Sequence, residues 1–262
     1  MNPRVGFVTQ VTTGLDEQLA FAGEAEFDYV EILMDGPVDR EALAEREESV
    51  RTHLAEGDLD LLVHLPFPTD IGSPYAGVSD GAVTTQRRCL DVASDLGAEK
   101  AVLHPESSAW DVAWEHDDLR GHIDESVAEL NAYGAERGVE ICAENLFGGA
   151  YTIDTIDGLL ARTDVSMTLD TGHARVSGYD AAATAEFVAE HADRIAHVHL
   201  NDTRVPRDEH LPFGAGTIDF ATVLGAFDDA WSGTLSLEVG TESIEYLRHS
   251  KAALDDVLTE IH

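Results

Sequence analysis

Short apolar runs alternate along the chain with longer segments whose apolar positions recur every three or four residues. The first pattern predicts strands and the second amphipathic helices. Eight strands follow: Val5–Thr9, Asp28–Leu33, Leu59–His64, Lys100–His104, Val139–Glu144, Val165–Asp170, Ile195–Leu200 and Thr234–Val239. A helix is expected after each. The first is Leu15–Gly23, with Thr13 as N-cap and Asp16 three residues on, and the second is Arg40–Leu54. Val83, Leu90, Ala93 and Leu96 mark the third, closed by Gly97, and Ile123, Val127 and Leu130 mark the fourth, which stops at Gly138. Ile153–Ala161 and Ala181–Ala192 come next. Phe220, Val223, Leu224 and Phe227 line the seventh helix, and Leu247, Leu254, Leu258 and Ile261 share a face of the last. Eight strand–helix units of about thirty residues predict an α/β fold, a (β/α)8 TIM barrel forming one domain over residues 1–262. A doubly wound sheet is the alternative.

Composition adds a strong charge. The net value is −35, with only two lysines, Lys100 and Lys251. The acids are spread over the whole chain rather than gathered in a tail. That favours a surface adapted to high salt, as in a halophilic protein, over an acidic binding function. It also disfavours nucleic acid as a partner, since phosphates are held by Lys and Arg. Cys89 and Cys142 read as buried free thiols. No apolar run of ~18 residues occurs, and MNPRVGFVTQ lacks a signal-peptide pattern, so a cytoplasmic protein without membrane contact is expected.

Three loops after strands are long: Pro66–Asp80, Glu106–Asp118 and Asn201–Thr217. In a barrel they share the C-terminal face, where active sites are built. Polar residues gather at the same ends. His64, His104, Glu144, Asp170, His199 and Glu238 close strands three to eight, His173 follows strand six, and Asp208 and His210 lie in the seventh loop. One such residue alone reads as a hydrogen-bonded structural group. Nine facing one mouth would repel without a cation, which points to a divalent metal. The stretch Ala196–His210, AHVHLNDTRVPRDEH, concentrates this chemistry. His197 lies one layer below His199 and reads as its support. Glu31 is placed to contact substrate or to orient a ligand. Trp110 and Trp114 would lid the site or pack their own loop. Gly214 and Gly216 would approach a phosphate or form a tight turn.

The segments VHLPF, LHPES, AENL, LDTGH, HLND and DEHLPFGAG resemble the superfamily of xylose isomerase-like barrels, which includes endonuclease IV and many sugar and sugar-phosphate isomerases and epimerases. The resemblance runs from about Val5 to the C-terminus. In the endonuclease IV branch it implies nine ligands for three zinc ions: His64, His104, Glu144, Asp170, His173, His199, Asp208, His210 and Glu238. In the epimerase branch it implies one ion on Glu144, Asp170, His199 and Glu238, with Glu144 and Glu238 as the acid/base pair and His173 orienting substrate. Arg204 corresponds loosely to the epimerases' substrate arginine. Endonuclease IV carries basic and aromatic loops that grip DNA; here loops three and four carry Asp70, Asp80, Asp111, Glu115 and Asp117 and no Lys or Arg.

The resulting expectation is an isomerase or epimerase dependent on one to three divalent ions (Zn, Mn or Co). Its substrate would be a small sugar, polyol or sugar phosphate. An endonuclease IV-like abasic-site phosphodiesterase is the alternative, and a catalytically inactive metal-binding subunit the third reading.

Overall fold

Nearly every strand residue is buried on both faces, as a strand between a packed interior and a helical layer must be. The computed structural model describes residues 1–204, 207–241 and 243–261. Val205 and Pro206, within the Ala196–His210 stretch, lie outside them. Eight parallel strands close into a barrel in chain order: β1 (Arg4–Val8), β2 (Tyr29–Leu33), β3 (Asp60–His64), β4 (Lys100–Leu103), β5 (Glu140–Glu144), β6 (Ser166–Asp170), β7 (Ile195–Leu200) and β8 (Thr234–Leu237). β8 pairs back to β1, Arg4 opposite Thr234. The expected TIM barrel is therefore the observed fold.

Helices cover the outside: α1 (Leu15–Glu24), α2 (Arg40–Glu45), α3 (Glu47–Gly57), α4 (Ala76–Leu96), α5 (His116–Ala135), α6 (Ile156–Arg162), α7 (Thr171–Val176), α8 (Ala181–His191), α9 (Phe220–Leu224) and α10 (Glu245–Glu260). α4 illustrates the logic. Val83, Leu90 and Ala93 are buried at helical spacing, and the helix ends where Gly97 takes a left-handed φ of 85°. Part of the acidic composition serves as caps: Asp39, Asp180 and Asp219 accept hydrogen bonds from the first-turn amides of α2, α8 and α9.

Local differences from the sequence reading have plain causes. Arg40–Leu54 is broken at Arg46 into α2 and α3. Gly14, not Thr13, precedes α1; the Thr13 carbonyl accepts from Gln18 instead. Ile153–Ala161 shifts to Ile156–Arg162. Strand eight ends at Leu237, so Glu238 stands just beyond it. The short α7 interrupts the path from β6, with Asp170 accepting from the His173 amide at 2.6 Å.

The barrel interior is unusually polar at mid-height. Tyr29 is fully buried there because Gly6 has no side chain; a Cβ at Gly6 would stand 2.4 Å from its ring. Cys89 and Cys142 are buried free thiols. Among the described residues no helix is long and apolar enough to cross a membrane.

Candidate metal centre

All nine residues, from strand ends and the loops after them, converge at the C-terminal mouth. His104 Nε2 and His64 Nε2 lie 3.2 and 3.6 Å from Glu144 Oε2. His199 Nδ1 lies 3.5 Å from the same oxygen, 3.3 Å from Glu238 Oε2 and 3.9 Å from Asp170 Oδ2. His173 Nδ1 is 3.1 Å from Glu144 Oε1, while its Nε2 is 3.3 Å from Asp208 Oδ2. His210 Nε2 closes on Asp208 at 2.8 Å. Among the sets of donor atoms that lie within 4.8 Å of one another are Glu144, Asp170, His199 and Glu238; His64, His104 and Glu144; and His173, Asp208 and His210. Glu144 belongs to two of them.

Backbone and neighbouring side chains aim these groups. His64 Nδ1 bonds the Leu65 carbonyl at 2.8 Å, and His173 Nδ1 the Asn145 carbonyl at 2.9 Å. With those protons committed, each Nε2 faces the centre. Asn201 donates to Asp170 Oδ2 at 2.8 Å. It fits because residue 172 is glycine: a Cβ there would be 1.8 Å from Asn201 Oδ1. Asp202 accepts from the amides of Thr203, Gly216 and Ile218 and folds the loop after β7. His210 enters with a left-handed φ of 45°, a conformation that costs a non-glycine residue energy.

The donor set suits a hard or borderline divalent ion, being nitrogen and oxygen without sulfur. Among the described residues Glu144 Oε2, His199 Nδ1 and Asp208 Oδ1 are buried without a hydrogen-bond partner, whereas buried polar atoms are normally paired. Burial and the Glu144 and Glu238 carboxylates push Asp170 up to about 7, against the pull of His173 and His199. Against the cost of burial, Glu238 and Asp208 lift His210 to about 10, and Glu31, Glu238 and Glu144 hold His199 well above its usual range. The field at the centre calls for positive charge, and these residues fit an ion.

Above them is a cavity of about 470 Å³, lined also by Phe67, Phe147, Glu106 and Ser107. These four were not singled out in the sequence, although VHLPF contains Phe67 and LHPES contains Glu106 and Ser107. The Glu106 carboxylate has no hydrogen bond or ion pair among the described residues, and burial, with Asp70 and Glu144 nearby, pushes it up to about 7. A carboxyl whose folded value exceeds its ordinary 4.5 favours the fold below that value and loses the advantage as pH rises through about 7. In metal-free protein, Glu106→Gln should therefore raise the melting temperature at pH 8 and leave it unchanged near pH 4.5, measured by circular dichroism.

The substrate contacts expected of Glu31 and Arg204 need correction, and the open alternatives for the two tryptophans and the two glycines are decided. Glu31 does not reach substrate: it is fully buried, with its oxygens 3.0 Å from His197 Nε2 and His199 Nε2. Arg204 turns outward and pairs with Glu209 at 2.8 Å. Trp110 is 69% exposed and Trp114 packs on the core; neither lines the cavity. The Gly216 amide is taken by Asp202 at 2.7 Å, so the glycines form a turn rather than a phosphate cradle.

Comparison with known proteins adds five findings. The profile of the xylose isomerase-like TIM barrel family matches residues 19–258. A probable endonuclease 4 from Mycobacterium ulcerans is 27% identical over 214 residues, covering 78% of this chain and 81% of that protein. An inosose dehydratase from Geobacillus thermodenitrificans is 35% identical over 122 residues, 38% of this chain and 40% of that one. Among solved structures, a D-tagatose 3-epimerase-like protein superposes with a TM-score of 0.82 over 98% of both chains at 23% identity. A 3-keto-D-glucoside 4-epimerase from E. coli gives 0.77 over 97% of this chain and 100% of that one at 18%. At these identities the structural likeness is one of fold.

Proposed function

Because the chain belongs to the family of xylose isomerase-like TIM barrels, we propose that it is a divalent-metal-dependent isomerase or epimerase of a small sugar, polyol or sugar phosphate. The observation that carries this reading is the pair Glu144 and Glu238, both facing one cavity of small-molecule size and both within 3.5 Å of the same imidazole nitrogen. Glu144, Asp170, His199 and Glu238 would hold the ion. Bound there, it supplies positive charge against the negative charge that develops on substrate oxygens. One of the two carboxylates takes a proton from a carbon beside a carbonyl, and the other returns a proton to the substrate. His173, held at the cavity wall with Nε2 3.3 Å from Asp208 Oδ2, orients the substrate, and Phe67 and Phe147 give that wall an apolar surface. Among the described residues no Lys or Arg lines the cavity, which favours an unphosphorylated member of the substrate class.

The gathering of all nine residues supports a second reading, a zinc-dependent phosphodiesterase acting on abasic sites, with the three donor sets each taking an ion. Against it stand the net charge of −35 and the outward-turned Arg204.

One assay separates the two. Protein loaded with Zn, Mn or Co is incubated with free ketoses and polyols in D2O, and in parallel with a duplex carrying an abasic site. Deuterium should enter a carbon-bound position of the sugar, and Glu238→Gln should slow exchange by about 10²–10⁴-fold. The variant's metal-free melting temperature should fall at pH 7, because against the cost of burial His199 and His210 hold the Glu238 carboxyl well below its ordinary 4.5. Cleavage of the duplex without exchange would replace this reading with the second.

A further inference from the structure

Below the cavity floor a line of hydrogen bonds crosses the barrel interior from Lys100, at the start of β4, to His199. Lys100 Nζ donates to the Ala196 carbonyl at 2.7 Å and to Thr234 Oγ1 at 3.1 Å. Thr234 Oγ1 lies 2.7 Å from His197 Nδ1. His197 Nε2 meets Glu31 Oε2 at 3.0 Å, and His199 Nε2 meets Glu31 Oε1 at 3.0 Å. Ser236 Oγ also donates to Glu31 Oε2. Glu31, His197, His199 and Thr234 are all fully buried, so water cannot substitute for any of these partners.

The direction of each bond is forced. A lysine ammonium only donates, and an ionised carboxylate only accepts. Thr234, accepting from Lys100, has one proton to give. His197 Nδ1 at 2.7 Å is the nearer taker than the Ala196 carbonyl at 3.4 Å. His197 then carries its proton on Nε2 and donates it to Glu31. The other Glu31 oxygen accepts from His199 Nε2–H. His199 Nδ1, a buried nitrogen without a hydrogen-bond partner among the described residues, is the ring position left open to a second proton or to an ion. It faces Glu238 and Glu144 oxygens at 3.3 and 3.5 Å, an arrangement that draws positive charge into the gap, a proton in the metal-free protein or a cation in its place.

We propose that Glu31, backed by Lys100, Thr234 and His197, is a positioning relay that fixes the tautomer of His199 and presents its Nδ1 to a divalent ion among Glu144, Asp170 and Glu238. The inference rests on the metal-site reading above. Composition agrees with it. The chain has two lysines; Lys251 pairs with Asp255 on the surface, while Lys100 is turned into the barrel.

The test compares wild-type protein, Glu31→Gln, Thr234→Val and Thr234→Ser. Each is stripped with chelator and titrated with Zn²⁺, and its histidine-ring tautomers are read from two-bond ¹H–¹⁵N spectra. Glu31→Gln should weaken zinc binding by about 10–100-fold and erase the Nε2–H signature of His199. Thr234→Val should weaken binding in the same direction, and Thr234→Ser, which restores the hydroxyl, should recover it. The valine–serine pair decides the matter even if Glu31→Gln does not fold. Equal zinc affinity and unchanged tautomers across the folded variants would overturn the relay. A wild-type protein that binds no divalent ion would instead overturn the metal-site reading, and the relay with it.

Discussion

Glu144→Gln is expected to abolish both metal retention and turnover, with activity falling by about 10²–10⁴-fold. Glu144 touches more of the centre than any of its partners, with His64, His104, His173 and His199 all within 3.6 Å of its oxygens. Two of the donor sets need it. Glutamine preserves the shape but removes the charge that holds a cation there. A second consequence can be read without metal. Although burial opposes ionisation, His104 and His199 hold the Glu144 carboxyl well below its ordinary 4.5. A depressed carboxyl stabilises the fold above its unfolded value and loses that contribution as pH falls through the folded one. Metal-free Glu144→Gln should therefore melt below wild type at pH 7, with the gap closing as pH falls below about 4.5. Full metal content and more than a tenth of wild-type activity in this variant would remove Glu144 from the centre.

How much of this was legible in the sequence depended on where each residue sits. A histidine or carboxylate closing an apolar run is visible as such, because a parallel strand aims its last side chain at one mouth. That is why His64, Glu144, Asp170 and His199 could be picked out from the string alone. Phe67, Phe147 and Glu106 could not, since their approach to the cavity depends on the path of loops whose patterns carry no period. Arg204 misled for the opposite reason: its charge was legible, but its pairing with Glu209, which turns it away, was not. Glu31 was legible as a carboxylate near the end of the second strand that contacts substrate or orients a ligand. Which layer it occupied, and hence whether it met substrate or two imidazoles, depended on the stagger of strands that no linear pattern displays.

Glycine and asparagine pose a related problem. Nothing in LDTGH states that Gly172 is small because Asn201 must pass it to reach Asp170. The constraint joins two segments twenty-nine positions apart. It exists only once β6 and β7 are adjacent, with Asp170 opposite His199.

Surface charge yields the second large effect, a melting temperature that climbs with salt. The available bases are already engaged: Arg4, Arg46, Arg51, Arg87, Arg137 and Arg162 are among those ion-paired. The net charge of −35 therefore stands uncompensated. At about 0.2 kcal/mol of repulsion for each of 35 excess acids, the low end for like-charge neighbours, the folded chain carries about 7 kcal/mol. The expanded chain relieves only part of it. The screening length shrinks from about 10 Å at 0.1 M to about 3 Å at 1 M. Removing about half of the repulsion should raise the midpoint by about 10 °C, at ~2–4 °C per kcal/mol for a chain of this size. Salt also strengthens apolar burial, so sorbitol serves as an uncharged control. Glu45→Gln, Glu48→Gln and Glu56→Gln combined, all on the exposed acidic face of α2 and α3, should raise the low-salt midpoint and flatten the salt dependence. A midpoint that stays level between 0.05 and 2 M KCl, or a triple variant whose slope matches wild type, would show that repulsion among surface acids does not limit this fold.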